Sequence, residues 1–129
     1  MDILLDASAV MAIILNEPNR GKVVSLTENA ILLSPEVISY EIGNALTNLM
    51  HKQKITEEEL FEAFRNFTSI PIRNIKVDIE KALKIACKYK IHAYDAYYLE
   101  TAGRLKLPLI TFDRSMKNIG WDLKIDILE

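Results

Sequence analysis

Apolar residues along the chain fall into two rhythms. Residues 3–5, 30–33, 70–72 and 109–112 are short apolar runs bounded by polar or turn-forming residues, the pattern of buried strands. The stretches between them carry apolar positions at helical spacing. Residues 7–16 have helical composition and end at Asn16-Glu17-Pro18, because a residue before proline is pushed out of the helical region. A second short helix is expected over 19–28. Ser34-Pro35 opens a longer one, with Pro35 near its first position. That helix runs to about Lys52, and its Val37, Ile38, Ile42, Ala45, Leu46 and Leu49 recur on one face. Thr56 with Glu59 three residues later is a capping box for the next helix. Pro71 places the 70–72 strand at or near a sheet edge, since proline cannot donate to a ladder. Helices follow over 76–90 and 94–105, and 125–128 is a last short strand. Strands alternating with helices predict an α/β fold of three layers, α/β/α, around a central parallel sheet. In such folds the functional site lies at the carboxyl ends of the strands.

Composition is that of one ordinary domain. With 129 residues, half of them hydrophobic, the chain can bury a core without disulfides or metal staples. Four glycines and four prolines are scattered singly, and no repeat or linker is visible, so residues 1–129 read as one domain. The lone cysteine, Cys87, excludes an intramolecular disulfide and sits in a helical pattern, where a small buried apolar residue is expected. That usage suits a reducing cytoplasm. The apolar start carries Asp2 and Asp6 and no basic residue, unlike a signal peptide. Its longest apolar run, 9–15, is too short to span a bilayer, so no membrane association is expected. The formal net charge of -2 runs against a generally basic nucleic-acid-binding surface. An enzyme that gathers carboxylates around a metal can still be acidic.

The candidate chemistry is carboxylate chemistry. Leu5-Asp6 and Phe112-Asp113 both end an apolar strand in an aspartate, so two central parallel strands would bring both acids to one sheet edge. Asp95 lies in the first turn of a helix, and Glu41 lies inside an apolar-faced one. Each has a plainer reading: Asp6 and Asp113 as helix or turn caps, Asp95 as a complement to a helix dipole, Glu41 as a solvated residue. Eighteen acidic residues leave room for either. His51 and His92 show no metal-ligand spacing and read as surface residues. No nucleophile elbow and no glycine-rich phosphate loop is present, since Gly43 and Gly103 stand alone inside helices. Basic residues gather weakly at His51-Lys52-Gln53-Lys54 and singly at Arg73, Lys76, Arg114 and Lys117, mostly as solvated helix ends.

Four segments carry a family resemblance: Leu5-Asp6-Ala7-Ser8-Ala9, Ser39-Tyr40-Glu41-Ile42-Gly43-Asn44-Ala45-Leu46, Tyr94-Asp95-Ala96-Tyr97-Tyr98-Leu99 and Leu109-Ile110-Thr111-Phe112-Asp113. In this order the chain resembles the PIN-domain family over essentially its whole length, and within it the VapBC-type ribonuclease toxins. The resemblance implies a PIN-like fold and an endoribonuclease in which Asp6, Glu41, Asp95 and Asp113 bind Mg²⁺ or Mn²⁺. Crowded carboxylates repel and raise one another's pKa, and a hard divalent ion with its preference for oxygen ligands relieves this. Ser8, Thr111 and Asn44 match positions that support the site; their plainer roles are local turn bonding for the hydroxyls and a solvated helix residue for Asn44. The implied partners are an RNA substrate, a cognate antitoxin and a second copy of the chain in a homodimer, with Phe61, Phe64 and Phe67 as interface or core residues.

The chain departs from the pattern after Asp113, where Arg114, Ser115, Met116 and Lys117 offer no further acid, which puts a second metal in doubt. Glu100 lies roughly 140° around the helix from Asp95 and is expected to point elsewhere. A PIN nuclease of RNA processing would look similar in sequence. A catalytically silent PIN-like binding module would not be expected to fill all four acidic positions. A phosphoryl-accepting signalling domain would want adjacent acids after the first strand, and a dehalogenase-type phosphatase would want Asp-x-Asp where this chain has Asp6-Ala7-Ser8.

Overall fold

The computed structural model describes residues 1–129. Four strands, β1 (Asp2–Leu5), β2 (Ile31–Pro35), β3 (Ile72–Ile75) and β4 (Leu109–Ile110), form one sheet in the order β3-β2-β1-β4. All pairings are parallel, with Leu4 opposite Leu33 on one side and Leu109 on the other. Ile3, Leu4 and Leu5 of the central strand are fully buried, which explains an unbroken apolar run where a one-sided sheet would alternate. Ile127 adds a single parallel bridge to Leu109 beyond β4. The chain steps outward from β1 to β2 to β3 and then returns to the far side of β1 for β4. The strand order therefore reverses between β1 and β4, and the crevice at their carboxyl ends is the switch point where such folds bind ligands.

Seven helices cover the sheet: α1 (Ala7–Ile14), α2 (Arg20–Leu26), α3 (Ile38–His51), α4 (Glu57–Ser69), α5 (Ile79–Tyr89), α6 (Ala93–Leu105) and α7 (Arg114–Asp122). The first four pack on one another, and α5, α6 and α7 form a second group, giving the three-layer α/β/α arrangement. Ile38, Ile42 and Leu46 are the buried stripe of α3, as their spacing predicts. The Thr56 capping box is present in full: its hydroxyl accepts from Glu59 N and its own amide donates to Glu59 Oε1, each at 3.0 Å. No helix is long and apolar enough to cross a membrane.

Several expectations are corrected. Ser34 and Pro35 belong to β2, and α3 starts only at Ile38; Pro35 ends a strand because its missing donor falls where the ladder stops. Pro71 precedes β3, which does lie at the edge. The 109–112 strand is shorter than its apolar run, β4 covering only Leu109–Ile110, and the strand expected over 125–128 reduces to the Ile127 bridge. Asp113 caps the nine-residue α7, which apolar periodicity alone does not announce, since only Met116, Ile119 and Gly120 are buried in it. Gly120 packs closely there: a Cβ would lie 2.7 Å from Ile127 Cδ1, so the Ile127 side chain would have to turn aside. Cys87 is exposed, because α5 turns Ala82 to the interior and carries Cys87 on another side. Phe67 is core, whereas Phe61 and Phe64 are exposed.

The capping box makes a direct test of local helix stability. Thr56→Ala should cost about 1 kcal/mol in urea denaturation, whereas Thr56→Ser should cost far less because the hydroxyl acceptor is kept.

Candidate active site

The switch point is organised by Asp6, the residue that leaves β1 and caps α1. Its backbone is extended and its Oδ1 accepts from Ala9 N at 3.0 Å and from Ser8 Oγ at 2.6 Å. Oδ2 accepts a short hydrogen bond from Thr111 Oγ1. Both hydroxyls have a second duty. Ser8 Oγ accepts from Phe112 N at 2.9 Å, and Thr111 Oγ1 accepts from Asp113 N at 3.1 Å. One carboxylate thus ties the end of β1 to the loop after β4 through two hydroxyl relays. Asp6 is only 3% exposed, so these bonds are what make its burial tolerable. A carboxylate has room for about four hydrogen bonds. Oδ1 is full and Oδ2 has one lone pair left.

Asp113 repeats the design at the next strand. It caps α7 through Oδ1, which accepts from Met116 N at 2.9 Å, and the residue is exposed to the crevice side of the loop. The capping and functional readings of the two aspartates are therefore compatible. Glu41 in the first turn of α3 and Asp95 in the first turn of α6 are half-buried, and neither carboxylate accepts a hydrogen bond. Glu41 Oε1 is buried without a partner, and so is the hydroxyl of Tyr98, which lies against Glu41 outside hydrogen-bond geometry. Asn44 is exposed and bonds to none of the others. Glu100 points away, as expected: its Oε1 accepts from Arg104 Nε at 2.6 Å and from Asp78 N at 3.1 Å.

Charge couples the four acids. Burial pushes the Asp6 carboxyl above its usual range; the bonds from Ser8, Thr111 and Ala9 offset part of this, and Asp113 adds to it. Glu41 is raised by burial, with the Tyr98 hydroxyl partly offsetting and Asp95 and Asp6 pushing further. Asp95 is raised by burial and by Asp113, against a small pull from His92. Burial and the Glu41 charge push the Tyr98 phenol far above its ordinary value, so it stays protonated. As they stand, no three acidic or imidazole side chains are close enough to hold one ion directly.

Two residues of this region carry no site role in the sequence pattern. Tyr98 stands three residues after Asp95 on the same helix, a spacing that marks a shared face. Ser34 is fully buried and donates to the Leu5 carbonyl at 2.9 Å, fixing the residue just before Asp6; its only signal is a polar side chain inside an apolar run.

The raised carboxyls give a pH dependence of definite sign. Native Asp6, Glu41 and Asp95 hold protons at a pH where the unfolded chain has lost them, so stability rises as pH falls from neutral toward the ordinary carboxylate range, about 4. In thermal melts with EDTA, Asp6→Asn, which keeps the cap, should gain most over wild type at neutral pH. The gap should narrow as pH is lowered.

Comparison with known proteins agrees with the fold. The chain is similar to ribonuclease VapC12 of Mycobacterium tuberculosis, 26% identical over 129 residues and covering 98% of each chain. The fold matches the crystal structure of PAE2754 from Pyrobaculum aerophilum with a TM-score of 0.69 at 22% identity, over 96% of this chain and 98% of that one. It also matches VapBC2 from Rickettsia felis, bound to a DNA fragment from their promoter, with a TM-score of 0.66 at 15% identity over 100% and 98% of the two chains. The family model described as PIN domain matches residues 3–122, and the chain belongs to the PIN domain family.

Proposed function

We propose that this protein is a divalent-metal-dependent endoribonuclease, the toxin of a toxin–antitoxin pair acting in the cytoplasm. The observation that carries the reading is geometric: the Asp6 carboxylate at the end of β1 is tied through Ser8 and Thr111 to the loop that carries Asp113 after β4, with the buried, unpartnered Glu41 Oε1 near it. The ribonuclease name of the VapC12 relative supports the substrate, and the VapBC2 assembly supports an antitoxin partner. A PIN nuclease of RNA processing would share the site; the relative's name favours the toxin.

The residues fit Mg²⁺ or Mn²⁺. The donors are all carboxylate oxygens, the chemistry a hard cation takes. Asp6 Oδ2 has one free lone pair, Glu41 Oε1 is buried and unpartnered, and Asp95 is unbonded. Mg²⁺ keeps several waters and takes only one or two carboxylates directly. When bound, such an ion lowers the pKa of a water and neutralises charge on a phosphodiester. The protein's own part is orientation. Ser8 and Thr111 fix the Asp6 carboxylate through both oxygens, and each cap fixes the rotamer of its aspartate. Tyr98, kept protonated, borders Glu41 as a neutral wall.

Exposed apolar surface supports the protein partners. Phe61 and Phe64 on α4 and Ile79 and Leu83 on α5 are between 40% and 56% exposed, a pattern suited to an antitoxin and to a second copy of the chain.

Cleavage of RNA should require Mg²⁺ or Mn²⁺ and stop in EDTA; undiminished cleavage in excess chelator would sink the mechanism. Asp6→Asn should lose most of the melting-temperature rise that Mg²⁺ gives wild type, because a ligand stabilises only the state it binds. Its cleavage should fall by orders of magnitude. If the variant keeps both, Asp6 is a cap alone. The antitoxin should place an Arg or Lys side chain into the acidic crevice, so neutralising that residue in the antitoxin should weaken inhibition. A complex whose crevice is open would count against this.

A further inference from the structure

We propose that the face of α7 bearing Arg114, Lys117 and Trp121 holds the single-stranded RNA beside the acidic crevice, a phosphate on the two cations and an unpaired base on the indole. The inference rests on the nuclease reading and extends it to a substrate-binding surface. Asp113 caps α7, so this face begins next to the candidate site. At about 100° per residue, positions 114, 117, 118 and 121 fall within an arc of roughly 100°. They line one shallow depression of about 150 Å³ together with Phe112 and Glu129. The opposite side of the helix, Met116, Ile119 and Gly120, faces the core, so the outer face is left partly open, its one ion pair running from Lys117 to Glu129.

Three observations favour RNA there. Trp121, the only tryptophan of the chain, is 50% exposed, and an indole at a surface beside cations is the chemistry that stacks an unpaired base. Arg114 and Lys117 follow closely on Asp113. A net-acidic protein with a carboxylate cluster repels a polyanion unless cations stand close to the site. Lys117 Nζ already donates to an anionic oxygen in the depression, Glu129 Oε2, at 2.9 Å. Such an exposed pair is weak and screened, so a phosphate can replace it. Asn118 adds an amide that can bond a base edge.

The lone tryptophan is its own probe. The full chain carrying Asp95→Asn, in Mg²⁺, is titrated with a fluorescein-labelled single-stranded oligoribonucleotide, reading anisotropy for binding and tryptophan emission for stacking. Emission should quench in step with anisotropy. Trp121→Ala should weaken binding roughly five- to hundredfold, while Trp121→Phe keeps most of it. Arg114→Ala with Lys117→Ala should lower the slope of log K against log salt by about 0.7 for each phosphate no longer held. The same α7 changes in a chain retaining Asp95 should reduce cleavage in proportion, and by more than the small melting-temperature losses expected from the Lys117–Glu129 pair and the half-buried indole account for. Binding without quenching, or variants that bind and cleave as wild type, would overturn the proposal and leave the nuclease reading standing. So would loss of antitoxin binding alone in Trp121→Ala, which would make the face a protein-docking surface. If the wild-type chain neither binds nor cleaves RNA, the nuclease reading fails first.

Discussion

A carboxylate buried beneath the end of a sheet is the constraint around which the rest is arranged. Asp6 is almost inaccessible, and a charge in that position costs several kcal/mol unless it is bonded. It is bonded by one backbone amide and two hydroxyls, and those hydroxyls in turn satisfy the amides of Phe112 and Asp113. The loop after β4 is therefore held to the end of β1 by a single side chain. Ser34 holds the same strand end from the β2 side.

Helix capping uses one oxygen of each of these carboxylates and leaves the other for different partners. Asp6 and Asp113 each spend Oδ1 on the first turn of the helix that follows, and this fixes the direction of Oδ2. A strand, an aspartate and a helix in sequence thus make a pre-oriented carboxylate with no dedicated scaffold. Asp113, three residues past the end of β4, caps α7 in the same way. Glu41 and Asp95, each in the first turn of a helix, bring acids to the same region, where the helix dipole favours negative charge. The dipoles offset only part of the repulsion and burial, and the three raised carboxyls record what is left.

The charge pattern then divides the surface by task. The crevice is acidic, and the adjoining face of α7 carries Arg114 and Lys117. Hydrophobic side chains that the core does not use, Phe61, Phe64, Ile79 and Leu83, lie on α4 and α5. A net charge near zero conceals this separation, which is why composition says little about the partner.

Local patterning determined most of the elements, the parallel three-layer arrangement and Asp6 at the end of β1, because hydrophobic period, capping chemistry and proline act over a few residues; Asp113 instead lies three residues past the end of β4. Those forces also placed Thr56 and Glu59 in their box and β3 at an edge. They failed where the deciding contact is remote. α7 is polar in composition and forms because Asp113 caps it and Ile127 packs against Gly120. Ser34 and Pro35 carry helix-start chemistry, yet pairing with β3 draws them into a strand. Cys87 is outside because α5 buries a different side. The coupling of Asp6 to Thr111, and of Glu41 to Tyr98 and Asp95, joins residues far apart along the chain. Only the order in which the strands assemble decides which acids share a crevice and which tyrosine lies beside them.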